Sequence, residues 1–152
     1  MFALIPSHAE ACTRYKHHLK NRSRLLKDNI RGDWLDLEEQ KAAEFGAQIL
    51  QNRAEYLRLL APHCTNITIE QTGSCQSALE AEDVATRLAD QFSINRDRDA
   101  QYGDSSFGPH RSDFTGSLIL PDQSVSFDRC SSGQHKRALV GLLLAHARLL
   151  KQ

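Results

Sequence analysis

Two short turns combine residue types that can bind a phosphate group. The stretch CSSGQ (residues 130–134) leads into a helical pattern, so hydroxyls, backbone N–H groups and the positive end of a helix converge there. The stretch GPHR (residues 108–111) forms a turn that presents His110 and Arg111, and an arginine can hold a phosphate through two hydrogen bonds. Each turn alone is more often an ordinary helix cap or a solvated surface turn.

A row of basic residues on the first predicted helix is a third candidate site. These residues are spaced four, four, three and four apart and so share one helical face: Lys16, Lys20, Arg24, Lys27 and Arg31. Such a face can follow a nucleic-acid backbone, and each phosphate it neutralises adds to the salt dependence of binding. A solvated face, or pairing with the acidic residues of the second helix, is an alternative of equal weight.

The composition is that of an ordinary folded domain. Of 152 residues, 40% are hydrophobic and 25% are charged, and 19 basic side chains balance 19 acidic ones, so net charge identifies no partner. The cysteines form no C-x-x-C pair, so we expect incidental thiols and no metal site. We also expect no membrane span, because the longest apolar stretch covers only residues 138–145. The sequence shows no secretory signal pattern, which favours a cytoplasmic location.

These candidate sites depend on a mostly helical framework. An S-x-x-E capping box at Ser7 predicts a first helix, with apolar residues at helical spacing up to Ile30. A second helix is predicted from about Trp34 to Leu60, where Pro62 ends it. A short turn between the two helices predicts an antiparallel hairpin. Its inward-facing residues are predicted to be Leu19, Leu26, Phe45 and Ile49.

The second half of the chain mixes strands with helices. Alternation over residues 65–70 predicts a short strand, and DFTGSLIL with SVSF (residues 113–127) predicts a β-hairpin. A third helix is predicted over residues 78–100, with apolar positions Leu79, Val84, Leu88 and Phe92. The last helix begins near Gln134 and is apolar almost all round, so it needs packing partners on several sides. The side chains that we expect it to expose are Leu139, Val140, Leu142, Leu143, Leu149 and Leu150.

The two turns, in this order and at this separation, resemble one family. GPHRSDF, followed by CSSGQHKRALVGLLLAHARLL, resembles the RecF family of DNA-repair ATPases, and RSRLLKD (22–28) and WLDLEEQKAAEFG (34–46) are similar to its helical arm. The resemblance covers essentially the whole chain. It implies an α+β, mostly helical fold with an antiparallel helical-hairpin arm over residues 1–103. Residues 104–152 would form part of a P-loop, ABC-type ATPase head, with the GPHR turn, the β-hairpin and the signature helix.

The resemblance also implies roles for the candidate residues. The signature motif of ABC-type ATPases corresponds to residues 130–134, and it contacts ATP that is held by the other subunit of a dimer. His110 and Arg111 would lie near the nucleotide or the dimer interface, and the basic row would contact DNA. The residues implied to contact ATP are Ser131, Ser132, Gly133, Gln134 and Lys136.

The resemblance further implies cofactors and partners. The intact family uses ATP and Mg²⁺, forms an ATP-dependent homodimer, binds gapped and single-stranded DNA, and works with RecO and RecR in recombinational repair and the SOS response. The chain contains no G-x-x-x-x-G-K-[ST] and no Walker B strand after the signature, so we predict no catalytic residue, no bound cofactor and no ATP hydrolysis by it alone. Two alternatives stay open: a standalone helical module that binds DNA or protein without nucleotide, and a non-functional remnant.

Overall fold

Helices make up most of the computed structural model, which describes residues 4–73, 75 and 82–151. The α+β, mostly helical fold is therefore confirmed. Short 3-10 turns lie at Ala61–His63, Pro109–Arg111 and Phe127–Arg129. The helices are α1 (Ser7–Lys27), α2 (Asp33–Leu60), α3 (Val84–Ile94), α4 (Arg96–Tyr102) and α5 (Ser132–Leu149), and the strands are β1 (Ile67–Gly73), β2 (Ser112–Ile119) and β3 (Ser124–Ser126).

The chain divides into two compact units. The first unit comprises the described parts of Met1–Asn52 and Gly73–Ser112, and the second comprises those of Arg53–Thr72 and Asp113–Gln152. Helix α2 therefore begins in the first unit and ends in the second. The division into an arm over 1–103 and a head segment over 104–152 stays a prediction from the family resemblance.

The first unit is built around the hairpin of α1 and α2. Ile49 and Leu26 are buried, and Leu19 and Phe45 are partly buried against the core. Each fully buried side chain of this size contributes about 1.5 to 3 kcal/mol to stability. The antiparallel hairpin is thus confirmed, with the four predicted residues facing inward.

Both ends of α1 differ from the sequence prediction. Pro6, not Ser7, occupies the N-cap position, and no side chain caps this end. Ser7 is already helical because the turn starts earlier, with His8 N–H donating to the Ile5 carbonyl at 3.0 Å. At the other end the helix stops at Lys27, and Asn29 adopts the left-handed conformation with φ of 54°. Ile30 therefore lies beyond the helix and is exposed.

The predicted third helix is interrupted at Asn95. The Asn95 backbone N–H and side-chain amide both donate to the Gln91 carbonyl, which closes α3, and α4 starts at the next residue. Asp83 caps α3, since its Oδ1 accepts from the N–H of Ala85 at 3.0 Å. Leu88 and Phe92 are fully buried and Val84 partly so, as predicted, whereas Leu79 lies outside the described residues.

The second unit combines a small sheet with α5. The strands form an antiparallel sheet in the order β1-β2-β3, and Ser117 pairs with Ser126 in the predicted β-hairpin. The strand expected over residues 65–70 is β1, shifted toward the C-terminus. Ile67 and Leu118 form a core with Ala138 of α5. Gly141 lets α5 approach β1 closely, because an added Cβ there would lie 2.4 Å from Ile67 Cδ1.

The outer side of α5 is apolar, as the sequence predicts, but the exposed residues are not all those that were predicted. Leu142 is half-buried and Leu149 is buried, because both turn toward the interior of the second unit. Leu144, which the prediction omitted, is exposed. The exposed apolar side chains of α5 and its C-cap, named here the α5 apolar patch, are Leu139, Val140, Leu143, Leu144 and Leu150.

Candidate nucleotide and nucleic-acid sites

The signature turn, defined as residues 130–134, leads into α5 with a complete capping box. Ser131 is extended and occupies the N-cap, and its Oγ accepts from the Gln134 N–H at 3.4 Å. The Gln134 Oε1 in turn accepts from the Ser131 N–H at 2.8 Å. These two hydrogen bonds hold the turn in one conformation and satisfy N–H groups that a helix start leaves unpaired.

The same turn is open to solvent. Ser131, Ser132 and Gly133 are exposed, and an added Cβ at Gly133 would meet no atom within 4 Å. Packing among the described residues therefore does not require glycine at this position. The absence of a side chain leaves the first N–H groups of α5 accessible to a ligand.

The charges at the start of α5 are unusual for a helix. Its first turn contains no acidic residue, and Lys136 and Arg137 of the second turn are exposed without an ion pair among the described residues. Cations are disfavoured near the positive end of a helix, where anions are stabilised. A bound anion would relieve this conflict, so the electrostatics of the turn favour a phosphate ligand.

The GPHR turn is held by hydrogen bonds inside the first unit. Gly108 has φ of 134°, and an added Cβ would lie 2.1 Å from the Tyr15 hydroxyl, so only glycine fits. His110 Nδ1 lies 2.8 Å from the Tyr15 hydroxyl, and His110 Nε2 lies 3.0 Å from the Ser105 carbonyl. Arg111 Nε also donates to that carbonyl at 3.1 Å, and its Nη2 donates to Asp104 Oδ2 at 2.6 Å.

The surroundings of His110 favour the neutral form of its ring. Burial of the ring lowers the pKa of His110 below its ordinary value of 6.5, the Ser105 carbonyl partly opposes that effect, and nearby Arg111 lowers the pKa further. The residue as a whole is exposed, but both ring nitrogens face protein groups. A neutral ring that donates from Nε2 and accepts at Nδ1 satisfies both contacts. In this structure His110 therefore positions the turn.

The predicted basic face is present on α1, with one exception. Lys16, Lys20, Arg24 and Lys27 are exposed on the helix. Arg31 does not share their face, because α1 ends at Lys27. Arg31 instead forms an ion pair with Asp97 at 2.8 Å. The basic face, defined from here on as the four residues of α1, and the GPHR turn belong to the first unit, whereas the signature turn belongs to the second.

A buried charged cluster in the first unit was not predicted. Arg22 is fully buried and donates to Glu39 Oε1 at 3.0 Å, Asp99 Oδ2 at 2.7 Å and the Phe92 carbonyl at 2.8 Å. Arg96 also donates to Glu39. One signal was available in the sequence: Arg22 falls between Leu19 and Leu26 on the apolar face of α1.

Two further site types are not found in the described part of the chain. Residues 4–73, 75 and 82–151 contain no group of three His, Cys, Asp or Glu side chains that could hold a metal ion. Among the same residues, no helix is both long enough and apolar enough to cross a membrane.

Curated proteins match this sequence over nearly its whole length. The DNA replication and repair protein RecF of Mesorhizobium japonicum is 35% identical over 164 residues, a match that covers 98% of this chain and 42% of that protein. RecF of Brucella abortus is 34% identical, with the same coverage, and RecF of Rhizobium meliloti is 30% identical. The chain belongs to the RecF family. It spans about two fifths of the length of these RecF relatives.

Solved RecF structures share this fold. A structure of the recombination mediator RecF with ATP, from the RecFOR pathway, superimposes with a TM-score of 0.78 at 24% identity and covers 99% of this chain and 44% of that one. A second RecF structure gives a TM-score of 0.73 at 23% identity. No protein-family profile matches the chain.

Proposed function

We propose that this RecF-family chain acts in DNA replication and repair and contributes the signature motif of an ABC-type ATPase. The signature turn is the main support for this role. It is capped and exposed, and the space next to Gly133 is free for a ligand. The match to RecF proteins over 98% of the chain supports it. ATP hydrolysis is not assigned to this chain, which contains no G-x-x-x-x-G-K-[ST] motif.

The residues of the turn fit a phosphate ligand. The Ser131 Oγ accepts from Gln134, so its own O–H is available as a donor, and the Gly133 N–H belongs to the first turn of α5. Lys136 adds a positive charge nearby. In a dimer, the partner subunit binds ATP and presents its γ-phosphate to this turn. The donors of the turn and the positive end of α5 stabilise the charge of that phosphate. The turn contains no carboxylate that could hold Mg²⁺, which would have to be bound elsewhere.

The wider proposal follows from the family. The basic face binds the DNA backbone at gapped or single-stranded sites, and the complete protein works in the cytoplasm with RecO and RecR as an ATP-dependent homodimer. That activity supports recombinational repair and the SOS response. The names of the relatives and the assignment of the solved RecF structures to the RecFOR pathway support this reading.

The test uses a full-length RecF protein in which this segment replaces the corresponding one. Ser131→Arg should leave ATP binding by the monomer within about twofold of the parent and abolish ATP-driven dimerisation and turnover, because the arginine fills the space of the phosphate. Gly133→Ala should also weaken dimerisation, although it costs the fold nothing in packing. Equilibrium nucleotide binding and sedimentation in ATP measure the two properties separately.

A matched control tests whether the loss is specific to the signature turn. Ser93→Arg places the same side chain at an exposed position of α3 and should change neither property. If Ser131→Arg and Gly133→Ala both dimerise with ATP as the parent does, the turn is an ordinary helix cap.

A further inference from the structure

A shallow cleft in the first unit combines an exposed aromatic ring with two arginines. Its lining residues are Arg98, Tyr102, Asp104, Ser106 and Arg111. Tyr102 is the last residue of α4 and is 73% exposed, which is unusual for so large a ring. Arg98 precedes it by four residues on the same helix, so the two side chains lie on one face.

The two arginines of the cleft differ in how firmly they are held. Arg111 is fixed by the Ser105 carbonyl at Nε and by Asp104 at Nη2. Arg98 is exposed, and no described residue forms an ion pair with it. Two guanidinium groups against one carboxylate leave the cleft with a net positive charge. The cleft can therefore attract an anion, and Arg98 is available to bind it.

Ser106 lies in the lining of the same cleft. Its backbone N–H donates to Asp99 Oδ1 at 2.8 Å, which ties the residue to the buried charged cluster. Its Oγ is buried and has no hydrogen-bond partner among the described residues. Such groups are rare in folded proteins because each one forfeits its hydrogen bonds to water. Ser106 therefore contributes its backbone to the lining of the cleft and is held in place by Asp99.

We infer that this cleft binds one nucleotide of an unpaired nucleic-acid strand. The Tyr102 ring stacks on the base, and Arg98 and Arg111 hold the adjacent phosphate. A base in a duplex is already stacked and paired, so an exposed ring gains little from it, whereas every base of a single strand offers an open face. The inference rests on the proposed role in DNA repair and adds a base-stacking site apart from the basic face.

The experiment measures binding of a fluorescent single-stranded oligothymidine of about ten nucleotides to the 152-residue chain by anisotropy. Tyr102→Ala should weaken binding about tenfold, whereas Tyr102→Phe keeps the ring and should bind as the parent does. Arg98→Ala should weaken binding and reduce its salt dependence by about one phosphate. A duplex of the same length should bind all of these variants nearly equally, apart from the phosphate contribution of Arg98.

Matched controls lie outside the cleft. Trp34 is another exposed aromatic residue of the first unit and Arg87 an exposed arginine, and Trp34→Ala and Arg87→Ala should leave strand binding unchanged. Thermal unfolding confirms that each variant is folded. Equal affinity of Tyr102→Ala and the parent would overturn the inference, as would an equal loss in Tyr102→Phe and Tyr102→Ala.

Two more outcomes separate this inference from the proposed function. Competition by ATP that removes the whole Tyr102-dependent part of binding would show that the cleft takes a free nucleotide, and this would overturn the strand assignment. If the parent chain binds gapped duplex DNA and not the single strand, the cleft inference fails while the basic face retains its role. The signature-turn proposal is tested by dimerisation and is unaffected by either result.

Discussion

Arg22 is a charged side chain with no exposed surface, and its guanidinium lies with its Cζ 5.2 Å from the centre of the Phe92 ring. Its hydrogen bonds to Glu39 and Asp99 compensate two buried carboxylates. Buried pairs contribute little net stability when intact, because desolvation offsets attraction, but removing one partner leaves an uncompensated charge. The charged cluster therefore makes the first unit intolerant of change at this residue.

We predict that Arg22→Met lowers the free energy of unfolding by about 3–5 kcal/mol. Urea denaturation monitored by circular dichroism measures this difference. Arg14→Met is the matched control on the same helix, because Arg14 pairs with Glu10 at 3.6 Å on the surface, and it should cost less than about 1 kcal/mol. Similar losses of unfolding free energy in the two variants would show that the buried cluster contributes no more to stability than a surface ion pair does.

His110 makes stability depend on pH. Since folding lowers the pKa of His110, the unfolded chain binds a proton more readily than the folded one, and the free energy of unfolding falls as pH decreases below about 6.5. His110→Gln should be less stable than the parent at pH 7.5, because it loses the fit to Tyr15 and Ser105, but it should lose less stability between pH 7 and 5.

Denaturation midpoints of parent and variant across that pH range provide the measurement. Parallel pH profiles for the parent and His110→Gln would contradict the assignment. The sequence placed His110 in a turn but treated it as a ligand donor, since its partner Tyr15 lies 95 positions away along the chain.

At the scale of helices and strands, local patterns predicted most of the architecture. Helix α2, the β-hairpin and the start of α5 follow from apolar periodicity, turn residues and the capping pattern of the signature. The wrong predictions concern the ends of helices. Local hydrogen bonds decide where a helix ends, and apolar periodicity gives no signal of them. Asn95 ends α3 with its own side chain, and Ser7 loses the N-cap to Pro6 because the first turn forms earlier.

The basic face of α1 is the element whose function is most directly testable. We predict that Lys20→Glu with Arg24→Glu weakens binding of the 152-residue chain to gapped duplex DNA of any sequence at least tenfold at low salt and flattens the salt dependence, because two phosphate contacts are lost. Fluorescence anisotropy over a series of salt concentrations measures both effects. Lys41→Glu, on α2 where Lys41 pairs with Glu44, is the control and should have little effect. Unchanged affinity and slope in the double variant would make the basic face a solvated surface.

At the scale of the whole molecule, the sequence predicted the family and the fold class but not the two compact units. Their composition is discontinuous, since each unit joins an early and a late part of the chain. Contacts between distant segments, such as Arg22 with Asp99, determine such a division, and no local pattern encodes them. The GPHR turn and the signature turn together indicated the family. Their residue types, combined with their separation along the chain, are specific to it.

The α5 apolar patch governs how the whole chain behaves in solution. Its side chains project from successive turns of one helix: Leu139, Val140, Leu143, Leu144 and Leu150. Contiguous apolar patches of this kind are uncommon on monomers and drive association, since burial contributes about 25 cal/mol for each Å² removed from water. We therefore predict that the 152-residue chain self-associates at micromolar concentration and binds a hydrophobic dye.

Sedimentation velocity over a concentration series tests this prediction. Leu139→Gln with Leu143→Gln should shift the chain toward monomer and reduce dye binding, because both side chains are exposed and contribute little to the fold. Leu37→Gln removes an exposed leucine of α2 and should leave self-association unchanged. A parent chain that sediments as a monomer at high concentration, with no dye bound, would show that polar neighbours screen the patch. Self-association that persists in the double variant would place the contact on another surface.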